Sequence, residues 1–136
     1  MQKTSLALIA ATLGLACAGA AMAHHSFAMF DQAKQVTLKG TVKEFQWTNP
    51  HAWIEVMVPN AQGGSEVWGV ELNSPNNLIR QGWTRTAMKP GDKVTVIINP
   101  LKDGSKGGLF NAVTLPDGKV LGDPRPPGAP INVQAP

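Results

Sequence analysis

The chain has 136 residues, a formal net charge of +3, three histidines and one cysteine. This length fits one small domain, and the modest charge excludes the strongly basic surface typical of nucleic-acid-binding proteins. The sequence contains no tyrosine, which excludes chemistry that depends on a redox or axial tyrosine.

The first 23 residues have the features of a secretory signal peptide. Lys3 precedes an apolar run at 6–16, and the small-residue end Ala21-Met22-Ala23 follows. The apolar run is shorter than the roughly 20 residues that span a bilayer. We therefore expect cleavage after Ala23 and a periplasmic or secreted protein without a membrane span. Cys17 leaves with the leader, so the mature chain has no disulfide or thiolate ligand.

Two adjacent histidines begin the expected mature chain. His24 and His25 are followed by the large apolar residues Phe27, Met29 and Phe30. A free terminus usually frays unless it is tied down. We expect this arm to dock on the domain through its apolar residues and so hold the histidines in a fixed place.

Alternating apolar and polar residues predict five strands and one helix. The strands are expected at 36–47, 51–58, 66–72, 93–98 and 109–115, with a short extension at 119–121. Ser74 and Pro75 are typical of a helix start, and Gly82 of its end, so we expect a helix over 75–81. Gly40, in the middle of the first strand, predicts a bulge or sharp bend.

This order of elements predicts an all-β fold, the five-stranded OB-like Greek-key barrel with one short helix between strands 3 and 4. A small β-sandwich is the alternative. The expected domain covers 24–122. The tail at 123–136 is rich in proline, so we expect it to be extended or disordered.

The second predicted strand has two chemically different faces, because successive side chains of a strand point in opposite directions. One face is apolar and should line the core: Ala52, Ile54, Val56 and Val58. The other carries an imidazole, an indole, a carboxylate and a thioether: His51, Trp53, Glu55 and Met57. The second set indicates a surface for a ligand or partner.

Three short motifs resemble those of a known family: His24-His25-Ser26-Phe27, Thr48-Asn49-Pro50-His51-Ala52-Trp53 and Lys89-Pro90-Gly91-Asp92. It is a group of small secreted bacterial proteins classed as a domain of unknown function. The resemblance implies export and a small β domain, but no activity. The chain is more loosely similar to periplasmic copper and silver chaperones with an OB fold. Those use paired methionines beside the tryptophan, whereas here Met57 stands alone on the strand face.

The histidines suggest a copper site. Cleavage after Ala23 would let His24 offer its α-amino and ring nitrogens to one ion, and His51 or His25 would add a third nitrogen, a set that suits Cu(II). Met57 and Trp53 would instead favour Cu(I). Glu55 is the candidate acceptor for the ring N–H of a metal-bound histidine.

The alternative is a saccharide- or protein-binding module without metal, in which Trp47, Trp53 and Trp68 line the face of strands 2 and 3. The mature chain has no thiol, and we find no serine in a nucleophile elbow and no recognisable carboxylate pair, so we expect a binding protein and not an enzyme. We expect a metal ion or a periplasmic protein as partner, and no nucleic acid. The amino-acid sequence does not indicate an oligomeric state.

Overall fold

Six strands and one short helix make up the domain. The computed structural model describes residues 27–124. The first three strands are β1 (Val36–Gln46), β2 (Trp53–Pro59) and β3 (Ser65–Glu71), followed by helix α1 (Pro75–Arg80). The remaining strands are β4 (Lys93–Pro100), β5 (Gly107–Thr114) and β6 (Val120–Gly122). The predicted elements are confirmed to within two residues at each end, and the predicted extension forms β6.

The sheet closes into a five-stranded barrel. The strands lie in the order β3-β2-β1-β4-β5, and a parallel pairing of β3 with β5 joins the two ends. Gly69 of β3 faces Gly107 of β5 at this closure. β6 pairs with the second half of β5 and adds a strand outside the ring. The predicted OB-like barrel is therefore confirmed, and the alternative sandwich is wrong.

β1 pairs with two neighbours and changes from one to the other near Gly40. Residues 36–41 pair with β4, and residues 41–46 pair with β2. A Cβ atom on Gly40 would overlap the carbonyl oxygen of Met57 and lie 2.9 Å from Val56 Cγ1. The expected bulge lies further along, where the register with β2 shifts between Val42 and Glu44. Gly40 is thus required by the close approach of β2, and the bulge around Lys43 is a separate feature.

The core fills the barrel from all its strands. Ala52, Ile54 and Val56 are fully buried and Val58 is partly buried, which confirms the predicted core face of β2. The helix begins as expected, because Ser74 Oγ accepts a hydrogen bond from the Asn77 amide at 3.4 Å. Its buried residues are Pro75 and Leu78, and Leu78 joins the same core.

The N-terminal arm docks through one aromatic residue. Phe30 is buried and forms an isolated bridge with Leu101, just beyond β4. The Lys102 amide donates to the Met29 carbonyl at 2.9 Å. Phe27 and Met29 are 54% and 49% exposed, so the expectation that their side chains dock is wrong. The arm is held by Phe30 and by backbone hydrogen bonds.

The predicted leader at 1–23, His24 and His25 lie outside the described residues, as does the tail beyond Pro124. The first residue of the predicted tail, Asp123, still bonds to the barrel, because its amide donates to the Asn111 carbonyl at 2.9 Å. From Phe27 to Pro124, no helix has the length and apolar character needed to cross a membrane.

We predict that Gly40→Ala destabilises the protein by about 2–3 kcal/mol, because the added methyl forces β2 away from β1. Gly64→Ala is the matched control, since a Cβ there would meet Asn60 only at ordinary contact distances of 3.6–4.0 Å. Urea unfolding of both variants measures the effect. A Gly40→Ala variant as stable as the control would show that the strands do not need this close approach.

Candidate functional site on the outer face of β2 and β3

Strand register arranges the outward side chains of β1, β2 and β3 in three rows, since directly opposed residues share a face. The first row is Gln46, Trp53 and Glu71; the second is Glu44, Glu55 and Gly69; the third is Thr41, Met57 and Val67. We call the β2 and β3 members of these rows the outer face. It is the face on which OB folds hold elongated ligands.

Trp53 is the exposed aromatic residue of the outer face, with 37% of its surface accessible. The other two candidate tryptophans lie elsewhere. Trp68 is opposite Val56, which places it on the core side of β3, and Trp47 packs against the core with its ring 5.7 Å from that of Phe45. The structure therefore does not bring the three indoles onto one surface.

His51 is held by an acidic residue of the neighbouring strand. Its Nδ1 donates a hydrogen bond to Oε1 of Glu71, whose side chain is 12% exposed. The backbone around the ring is fixed as well: Thr48 Oγ1 donates to the His51 carbonyl at 2.9 Å, and the Ala52 amide donates to the Asn73 carbonyl at 3.1 Å. With Nδ1 occupied, Nε2 is the ring nitrogen that remains for a ligand.

The sequence pattern did not single out Glu71 as a site residue. Alternation along β3 places it with Val67 and Gly69, but its partner on β2 depends on register. The predicted hairpin loop at 60–65 could have indicated that partner. Counting the same number of residues away from the loop along both strands brings Glu71 to within one position of Trp53.

Glu55 has a different partner from the one expected. Lys43 Nζ donates to Glu55 Oε2 at 2.7 Å, and this hydrogen bond raises the pKa of Lys43. Glu55 and Met57 lie four and six residues beyond His51, about 13 Å and about 20 Å at the rise of a strand. His51 is therefore brought together with Glu71, and with neither Glu55 nor Met57.

The described residues hold only part of the expected metal site. Within 27–124, no three His, Cys, Asp or Glu side chains are grouped so that they could hold a metal ion. The expected ligands His24 and His25 precede this range. The arm that follows them docks at Leu101, just beyond β4. Two strands, β4 and β5, therefore lie between Phe30 and β3. Three strand spacings separate Phe30 from β3, about 14 Å.

A second concave surface lies between β1, β4 and β5 and borders the outer face, because its lining includes Thr41 of the third row and Pro59 of β2. This open groove has a volume of about 580 Å³, and its lining includes Lys39, Lys93, Thr95 and Thr114. No acidic residue lines it. The groove is therefore positively charged, whereas the outer face carries paired carboxylates.

The chain belongs to a family of unknown function, DUF6152, whose model matches residues 13–111. A comparison with curated proteins gives no match. Among solved structures, the mitochondrial single-stranded DNA-binding protein Rim1 of S. cerevisiae is similar, at 13% sequence identity with a TM-score of 0.43. The similarity covers 60% of this chain and 93% of Rim1.

We predict that neutral His51 carries its proton on Nδ1, because Glu71 accepts a hydrogen bond there, whereas free imidazole favours the Nε2 proton. Nitrogen-15 NMR distinguishes the two forms, and His51→Ala identifies the signals. Glu71→Ala should return His51 to the Nε2 form, and Glu55→Ala should leave it unchanged. An Nε2 proton in the unaltered protein would contradict the assigned pair.

Proposed function

We propose that this protein is an exported, non-catalytic binding protein whose outer face takes a neutral saccharide. The observation that carries the proposal is the position of Trp53, exposed in one row between the amide Gln46 and the carboxylate Glu71. An indole offers a flat apolar surface for the C–H face of a sugar ring, and flanking amides and carboxylates suit its hydroxyls.

The charges of the outer face support a neutral ligand. Glu55 is paired with Lys43 and Glu71 with His51, so neither carboxylate requires a cationic ligand. Each still has acceptor capacity for hydroxyl donors, since a carboxylate oxygen accepts more than one hydrogen bond. Polyanions such as nucleic acid bind through unpaired Lys and Arg, which are missing from the three rows described above. We therefore propose a saccharide and not an oligonucleotide.

The absence of catalysis is part of the proposal. His51 and Glu71 resemble a base and its positioning carboxylate, but general-base catalysis needs a nucleophile within hydrogen-bond reach. In the part of the chain that the structure describes, the hydrogen bond of the His51 ring goes to Glu71. Binding without chemistry is the simpler role for this pair, which then orients a ring nitrogen toward the ligand.

Copper is a second candidate ligand, favoured by a separate observation. Metal-binding histidines usually donate their other ring N–H to a carboxylate, and Glu71 holds His51 in this way. Export and cleavage after Ala23 would add the α-amino and ring nitrogens of His24. This set of three nitrogens suits Cu(II). The arm would have to reach from its docking point at Leu101 to His51.

We predict that Trp53→Ala weakens binding of neutral oligosaccharides at least about tenfold, because the stacking surface is lost. The probes are cellotetraose, chitotetraose and maltotetraose, each titrated against the protein by isothermal calorimetry. Trp68→Phe is the matched control, since Trp68 packs against the core, and it should bind as the unaltered protein does. Equal loss in both variants, or no binding of any of the three sugars, would reject the saccharide proposal.

For copper, the prediction concerns the first residue of the mature chain. A protein beginning at His24 should bind Cu(II) about a hundredfold more tightly than the same protein with its α-amine acetylated, because acetylation removes the amine from the chelate. Competition with a chelator of known affinity measures both. His51→Ala should also weaken binding in the correctly processed protein. Equal affinities in the two forms would rule out the terminal site.

A further inference from the structure

One glycine inside a strand has no structural requirement among the described residues. Glycine weakens a strand because it is conformationally free and brings no side chain to pack. The other strand glycines are crowded, because a Cβ atom would lie within 3.0 Å of a neighbouring atom: Gly40, Gly107, Gly108 and Gly122. A Cβ on Gly69 would have no atom within 4 Å, and its φ is not positive.

Gly69 lies at the centre of the outer face. It is opposite Glu55 of β2 and lies between Val67 and Glu71 along β3. Its missing side chain leaves a gap between the row that holds Trp53 and the row that holds Met57. Toward β5 the gap ends at Gly107, the residue paired with Gly69, because Gly107 is buried and an added Cβ there would lie 3.0 Å from Leu101 Cδ1. A short trough therefore lies over β3, between β2 and Leu101, with the Gly69 backbone as its floor.

The walls of the trough differ in chemistry. One side is the row of Trp53 and Glu71, which presents an indole and a carboxylate held by His51. The other side is the directly opposed pair Met57 and Val67, of which Val67 is 44% exposed. Glu55 stands at the β2 end of the floor, fixed by Lys43 at 2.7 Å. A ligand in the trough would meet apolar walls and hydrogen-bond acceptors together.

We propose that Gly69 is the floor of a saccharide subsite next to Trp53, so that a linear neutral sugar chain runs from the indole onto the Gly69 backbone. This inference rests on the proposed function and specifies its ligand. A strand glycine without a steric requirement is expected where a ligand approaches the backbone closely. The ligand is accordingly a chain of at least two rings, one stacked on Trp53 and the next over Gly69 with hydroxyls directed at Glu55.

Gly69→Val tests this inference, because valine suits a strand and the fold has room for it. Thermal unfolding should give a melting temperature equal to or above that of the unaltered protein. Affinity for the tetrasaccharide that binds best should fall at least tenfold, and Gly69→Ala should give a smaller loss. Gly64→Ala, in the β2–β3 hairpin loop, is the control and should leave binding unchanged.

The outcomes separate this inference from the proposed function. A lower melting temperature for Gly69→Val would reveal a structural need for glycine and overturn the inference. Unchanged tetrasaccharide binding in Gly69→Val, together with loss of binding in Trp53→Ala, would overturn the subsite but keep the saccharide face. No tetrasaccharide binding by the unaltered protein would overturn both.

Discussion

The barrel depends on the close approach of β1 and β2 at Gly40. β1 must pair with β4 over its first half and with β2 over its second, and Thr41 is paired with both Met57 and Lys93. A side chain at Gly40 would occupy the position of the Met57 carbonyl. This approach lets β1 join the two halves of the sheet, whose ends meet in the β3–β5 pairing.

Closure in this register also determines the chemistry of the outer face. The pairing of β2 with β3 brings Glu71 beside Trp53 and within reach of His51, and the pairing of β1 with β2 brings Lys43 to Glu55. Two carboxylates are thereby matched to two basic groups. The indole remains exposed among amide and carboxylate groups, which supports the proposed neutral ligand and disfavours a polyanion.

Much of the fold could be predicted from the sequence, because β1, β2 and β3 have a clear period of two, β4 is rich in β-branched residues, and the helix has a serine cap followed by proline. The core face of β2 followed directly from that alternation. The pairs of the site could not be predicted in the same way. His51 and Glu71 are 20 residues apart, and Lys43 and Glu55 are 12 apart. Each pair depends on strand register and on the bulge after Val42, which are properties of the assembled sheet.

The presence of three tryptophans near β2 and β3 was also an incomplete guide to which of them lie on the outer face. Alternation along β3 placed Trp68 with Val70 and Leu72, which are buried, so the same pattern that predicted the strand placed this indole on the core side. Gly40 and Gly69 could not be distinguished by sequence, since both are glycines within strands. Their difference appears only in three dimensions, where one is crowded by a neighbouring backbone and the other borders open space.

The most direct test of the central claim is amide and indole chemical-shift mapping by NMR, with the nitrogen-15-labelled protein titrated with a neutral tetrasaccharide. The outer-face account predicts that shifts centre on the Trp53 indole, Gly69 and Glu71. Shifts confined to the groove at Lys39 and Lys93, with the Trp53 and Gly69 signals unmoved, would contradict it.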